Sequence, residues 1–322
     1  MKWRRRCKPM MIALCMALAI LVVSCKEQAH GLPSSTVRPY EVLVVNDSAH
    51  VVADSLSADC LGLPQSEPQF DVKSITQKDL EGYRLLSRTI VILHPAGSAL
   101  RIHKNVYAHP QLVIHTDVAH LAQAKAYLQA FERLQAQRQL AQHPNPTMQQ
   151  MVQKALGVHM LIPSEMQSYK KANNLIWLSN NTHEKIKNLC VMRLAPTDGQ
   201  SQSRSADGNA DAAADILTPI NDLLRANIKG EQAGMYMQLI PSTLLEERRA
   251  ILPDSVGTAS DYCGLWQMNG DSMGGSFVMR LVRLKDRQIA LLAFAYAPET
   301  TKRNIMQQLR AVVFNNKTTY GE

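Results

Sequence analysis

The run of strand signals between residues 235 and 297 constrains this chain more than any other feature. Segments 235–240, 247–252, 256–268, 276–284 and 287–297 read as consecutive strand candidates. Asn269-Gly270 lies between the third and fourth, and that dipeptide is a strong hairpin cue. A two-residue turn there makes Met268 and Asp271 the flanking pair. Counting outward, Trp266 faces Met273 and Gly264 faces Gly275. Residues 158–162, 175–180 and 188–194 read as further strands, with Asn173-Asn174 as a turn. Thr218 as N-cap with Pro219 at N1 starts a helix whose buried face is Ile220, Leu223, Leu224 and Ile228. A last helix runs from about Pro298 to Phe314 on Ile305, Leu309, Val312 and Val313. The second half is therefore expected to be an antiparallel sheet covered by two helices. Residues 197–211, rich in Ser, Asp, Gly, Gln and Asn, have too few apolar groups to pack and read as a loop insertion.

The first half mixes strands with longer helices. Val42 to Val45, Gln69 to Val72, Thr89 to His94, Arg101 to Tyr107 and Gln111 to His115 are strand candidates. Asn46-Asp47-Ser48 caps a helix toward Cys60, and residues 76–82 suit a helical turn. Thr116 or Asp117 caps a long helix, roughly 117–142, with Leu121, Leu128, Phe131, Leu134 and Leu140 on one stripe. Thr147 to Leu156 is a shorter helix closed by Gly157. The expectation is an α+β protein with mixed and antiparallel sheets covered by helices, in two halves, 39–157 and 158–322. In the second half the order strands–helix–strands–helix resembles the Mog1/PsbP-type sandwich, a likeness of fold alone.

The N-terminus reads as an address. Lys2, Arg4, Arg5, Arg6 and Lys8 precede an apolar run from Met10 to Val23. That run is too short to span ~30 Å of hydrocarbon as a helix. It has the length and flanks of an export signal, and Val22-Val23-Ser24-Cys25 resembles a lipobox. Residues 1–24 are thus expected to be a cleaved signal, Cys25 to carry lipid, and 25–38 to be a tether. Each buried CH₂ contributes ~0.8 kcal/mol, so multiple acyl chains hold a protein at a membrane without a spanning segment. The chain has 35 Lys+Arg and 27 Asp+Glu; without the signal's five cations the balance is 30 against 27. A balance so close to neutral gives no reason to expect nucleic-acid binding. Of the six cysteines, Cys60, Cys190 and Cys263 remain beyond Cys25. Their spacing matches no metal motif, and an envelope compartment would permit one disulfide between two of them.

Several local motifs stand in a fixed order behind the lipobox. They are Pro39-Tyr40-Glu41-Val42-Leu43-Val44-Val45, Gly62-Leu63-Pro64 with Phe70-Asp71-Val72, Gly264-Leu265-Trp266, Met273-Gly274-Gly275 with Phe277, Tyr296-Ala297-Pro298, and Lys302-Arg303-Asn304. In this order the chain resembles an uncharacterised lipoprotein family of the Bacteroidetes, catalogued as a domain of unknown function. It departs from that pattern at Ser276, where proline is expected, and in the loop at 197–211. The resemblance implies an envelope location, probing no chemistry: it brings no activity, cofactor or catalytic residue.

The residues that carry chemistry are sparse. Six of ten histidines lie between His94 and His143, and His109, His115 and His120 flank a strand-to-helix junction beside Asp117. Imidazoles with a carboxylate are zinc donors, but neither H-E-x-x-H nor an i, i+4 pair is present. No G-x-S-x-G elbow occurs. Cys263 has no sequence-adjacent base to make it a thiolate. Met273-Gly274-Gly275 leads into a strand, whereas a phosphate loop leads into a helix N-terminus. Trp266 and Phe277 are either core or, if they face solvent, a binding patch. Lys302, Arg303 and Arg310, with Arg280 and Arg283, make a basic contact surface if exposed. The resulting expectation is a non-enzymatic binding or scaffolding module, without cofactor. It is anchored in the envelope, at the outer membrane, and its partner is an envelope protein or glycan. The alternative is a metal-dependent or thiol hydrolase.

Overall fold

Strands β1 (Glu41–Val45), β2 (Asp71–Ile75), β3 (Thr89–Leu93), β4 (Arg101–Lys104) and β5 (Leu112–Thr116) form the first sheet of the computed structural model. The structure describes residues 31–182, 184–196, 209–252 and 257–321. The expected signal, Cys25 and the head of the tether lie outside the described residues, as does most of the expected 197–211 loop. The first sheet runs β2-β1-β3-β5-β4, parallel throughout except for the edge strand β4. Strands buried on both faces read as unbroken apolar runs, which is why EVLVV and TIVIL lack alternation. Helices α1 (Val51–Leu56) and α2 (Leu121–Gln142) cover one face. Val52, Leu56, Ala124, Leu128 and Phe131 pack there on Val42, Val44, Val91 and Ile114. The other face, Leu43, Val45, Ile90, Ile92 and Val113, packs against Ile75 and Leu80, and among the described residues no α-helix joins that cluster.

Two expectations shift in this half. The helix after β1 is short, and Asp47 caps it by accepting from the Ala53 amide at 2.8 Å. Leu134, placed on the buried stripe of the long helix, is 42% exposed, while Ala124 takes part in the core instead.

The second half begins with α3 (Pro146–Leu156), whose Met148, Val152 and Leu156 pack on the second sheet rather than the first. The seam drawn at 157/158 therefore falls before this helix. Then follow β6 (Val158–His159), β7 (Ser168–Ala172), β8 (Leu175–Ser179), β9 (Ile186–Leu194), α4 (Asn209–Asn227), β10 (Tyr236–Leu239), β11 (Leu245–Ile251), β12 (Gly257–Asn269), β13 (Gly274–Leu284), β14 (Gln288–Tyr296), α5 (Arg303–Val313) and β15 (Thr319–Tyr320). The eight-stranded sheet is antiparallel, in the order β10-β12-β13-β14-β9-β8-β7, with β11 also on β12. Helices α3 and α5 cover one face, and α4 covers part of the other through Leu217, Ile220 and Leu224. The α+β class with helix-covered sheets is thus as expected. Of the edge strands, β11 (LEERRAI) and β7 (SYKKA) are polar, which discourages edge pairing with another chain. β7 escapes a search for apolar runs for the same reason.

Helix α4 does not start at Thr218. It runs through Pro219, and Thr218 Oγ1 donates to the Ala214 carbonyl at 2.8 Å instead of capping. The central hairpin also differs from expectation. The Met268 amide donates to the Met273 carbonyl, and the Asp271 amide to the Met268 carbonyl, so four residues rather than two make the loop. Only Gly270 adopts a positive φ, +87°, while a type I′ turn needs one at Asn269 as well. Trp266 therefore faces Gly275, and Gly264 faces Phe277.

The halves are joined by a polar seam. Glu67, on the loop before β2, is buried and accepts from the amides of Lys302 and Arg303 at 2.7 and 2.8 Å. A carboxylate there serves the unpaired amides and the positive end of α5. The Arg303 guanidinium reaches back to Asp71 at 2.7 Å and to the Pro68 carbonyl at 2.9 Å. That hydrogen bond holds the Asp71 carboxyl below the usual carboxylate range, against the opposing effect of its partial burial.

Candidate functional site

The second sheet's α4-covered face extends past the end of α4, and there it forms the floor of a cleft of about 490 Å³. Register lines up Phe277, Phe294, Asn188, Ser179 and Ser168 across β13, β14, β9, β8 and β7. Residues on the same face one step along are Trp266, opposite Gly275, and Tyr296, opposite Ile186. A Cβ on Gly275 would collide with the Ala295 carbonyl and lie 3.1 Å from Trp266 Nε1. The missing side chain is what lets the indole lie across β13. Trp266 Nε1 donates to the Ala295 carbonyl at 3.2 Å, and its ring meets Phe294 edge-on at 5.2 Å. Trp177 Nε1 donates to Asn188 Oδ1 at 2.8 Å, and Asn188 is itself only 4% exposed. Both indole N–H groups are thus satisfied internally, and ring carbon faces the cleft. Met237 and Met268, opposite one another on β10 and β12, extend the floor with thioethers that adapt to varied shapes.

The rim is polar and balanced in charge. Lys170 and Lys229 stand against Glu231 and Asp271. Lys170 Nζ already donates to the Asn227 carbonyl, at 2.6 Å, at the C-terminal end of α4. A site of this size, apolar below and polar at the mouth, matches the common pattern of small-molecule clefts.

Trp266 and Phe277 are both core residues, 3% and 0% exposed. They form no exposed patch: Phe277 is buried on that face and packs where Gly264 makes room, whereas Trp266 lines the cleft. Sequence reasoning missed Trp177, Asn188, Phe294 and Met237. A signal existed, since Trp177 and Trp266 are the only tryptophans after Trp3. The two lie 89 positions apart, and only strand order brings them together.

Of the candidate zinc donors weighed in the sequence, Asp117 and His120 meet, while His109 and His115 lie elsewhere. His109, exposed, sits at a cis bond to Pro110. Asp117 accepts from His120 Nδ1 at 2.6 Å and from the Gly97 amide at 2.9 Å, an arrangement that caps the start of α2's lead-in turn. The hydrogen bond from His120 chiefly holds Asp117 below the usual carboxylate range. His115 turns instead to His94 and His103. Burial first, and then these two imidazoles and Arg101, lower the His115 pKa. Among the described residues no group of three or more His, Cys, Asp or Glu side chains stands ready to hold a metal.

Cys60, Cys190 and Cys263 are free thiols. Burial pushes Cys263 up to about 12 and raises Cys60 and Cys190 too, opposite to the shift a thiolate nucleophile needs. Gly274 and Gly275 open a strand, as their context suggests, and no helix N-terminus follows them. The basic surface does not form: Lys302, Arg303 and Arg280 are buried, and Arg310 pairs with Glu247. Arg280 binds Asp261 through two hydrogen bonds of 2.6 and 2.8 Å.

A family model described as "Domain of unknown function (DUF4837)" matches residues 145–315, more than half of the chain. A second, "Domain of unknown function (DUF8532)", matches residues 35–150. The two meet where the packing places the seam. No curated protein matches. Among solved structures, the chain is similar to the Ran-binding protein Mog1p of Saccharomyces cerevisiae, with 10% identity and a TM-score of 0.24, over 48% of this chain and 79% of that one.

Proposed function

Because the chain belongs to the DUF4837 family, whose description assigns no activity, we propose from its own geometry that it is a binding protein for a largely apolar, uncharged small molecule. We further propose that it is an envelope lipoprotein of the Bacteroidetes type, held at the outer membrane by lipid on Cys25. The ligand reading rests on one observation: both tryptophans beyond Trp3 line a single cleft with their N–H groups already engaged. On the floor Asn188 Oδ1 and both indole N–H groups are used internally, so the rings offer carbon to a ligand and the polar groups of the cleft stand at its rim. The balanced rim likewise favours no ligand charge. The anchor reading rests on the lipobox-like stretch ending at Ser24; among the described residues no helix is long and apolar enough to cross a membrane.

Titration with N-phenyl-1-naphthylamine, an uncharged apolar fluorophore, tests the ligand reading. The expected result is saturable one-to-one enhancement with quenching of tryptophan emission. Met273→Lys, at the mouth of the cleft, should weaken it about tenfold without loss of fold. Absence of saturation, or displacement by soluble oligosaccharide but not by an apolar alcohol, overturns it. For the anchor, Cys25→Ser should leave the membrane fraction; a variant that stays there at the same mature size refutes lipidation.

A further inference from the structure

We propose that His94, His103 and His115 form a binding site for a divalent transition-metal ion on the face of the first sheet that no α-helix covers among the described residues. The site is separate from the cleft of the second sheet and does not depend on what that cleft binds. His94 follows β3, His115 lies in β5, and His103 lies in the edge strand β4, so the three come from neighbouring strands. His94 Nε2 stands 2.9 Å from His115 Nδ1, with the rings stacked at 5.1 Å between centroids. His103 meets His115 edge-on at 5.5 Å. They wall a cavity of about 470 Å³ whose floor includes Ile92 and Val113, and no carboxylate lines it.

Two ring nitrogens in contact satisfy each other only when one carries a proton and the other a lone pair. An ion replaces that shared proton with two coordinate bonds. Zn–N bonds of ~2.0–2.1 Å in tetrahedral geometry set the two nitrogens roughly 3.3 Å apart. In distance the pair needs to open by a few tenths of an ångström, and both rings must tilt so that their lone pairs converge on the ion. The third donor is not yet in place, consistent with the absence of a converged three-ligand group. His103 is the residue that must turn. It is exposed on an edge strand, so its rotation displaces no core packing. Imidazoles without thiolate or carboxylate suit zinc, copper(II) and nickel rather than magnesium or calcium. Three protein donors leave one position for water or an exogenous ligand.

Zinc titration by calorimetry on the chelator-treated full chain, with cobalt(II) as a spectroscopic substitute, is the test. The expected result is one zinc per chain and visible cobalt bands of four-coordinate intensity. His94→Ala and His115→Ala should each weaken binding at least a hundredfold, and His103→Ala about tenfold. His109→Ala and His120→Ala should leave it unchanged, because those residues lie outside the cluster. Thermal melts accompany each variant; should His115→Ala fail to fold, His94→Gln and the exposed His103→Ala decide. No saturable binding, or binding that survives loss of His94 and His115, overturns the proposal.

Discussion

The first sheet is parallel but for its edge strand β4 and, among the described residues, carries α-helices on one face; the second is antiparallel and carries helices on both. Each has a cavity on a stretch of sheet face that no α-helix covers among the described residues. In the second sheet that face is aromatic and thioether, because it continues the core beneath α4. In the first it is imidazole, because the strand positions that continue Ile90, Ile92 and Val113 toward the sheet margin are His94, His103 and His115. A half-covered sheet thus offers a binding floor whose chemistry is set by the alternate residues of its strands.

The sharpest way to break this comparison is at Trp266. If the cleft floor is continuous with the core, Trp266→Ala should cost ~3–5 kcal/mol in denaturant unfolding. A loss near zero would make the indole a detachable cleft wall, and the two cavities would then be alike in being peripheral. The next effect concerns the seam. Glu67→Ala removes the carboxylate that serves two α5 amides and should cost ~1–2 kcal/mol. Tryptophan emission reports only the second half among the described residues, while circular dichroism reports both. The two melts should coincide in the parent and separate in Glu67→Ala. Coincidence in the variant would show that apolar packing alone couples the halves.

The smallest effect is on pH dependence. The Asp71 carboxyl is held below its ordinary range by Arg303, so its contribution is fully present above that range. It should be lost as pH falls through Asp71's own lower value. Asp71→Asn should flatten this part of the acid limb of the melting curve. An unchanged limb would assign acid sensitivity to other carboxylates.

Strand existence was legible because apolar runs such as Thr89–Leu93 and Gln288–Tyr296 leave little alternative. Polar β7 was not, since its character reflects an edge position that depends on the neighbours it acquires. The Asn269-Gly270 turn was legible as a location but not as a register. The same dipeptide fits a two- or a four-residue loop, and the Trp266–Gly275 and Gly264–Phe277 pairings decide between them. The histidines were visible as a cluster in sequence, yet His109 and His120 went elsewhere and His94 and His103 joined His115.

By itself the sequence determined the α+β class and the place of most strands and helices. Each of these follows from local periodicity and capping, which act over a few residues. Only the tertiary structure decided strand order, the register at Trp266, the burial of Lys302 and Arg303, and the assembly of both cavities. Those depend on contacts between residues as distant as Glu67 and Arg303. Such contacts form only when the sheets close, and short-range pattern carries no record of them.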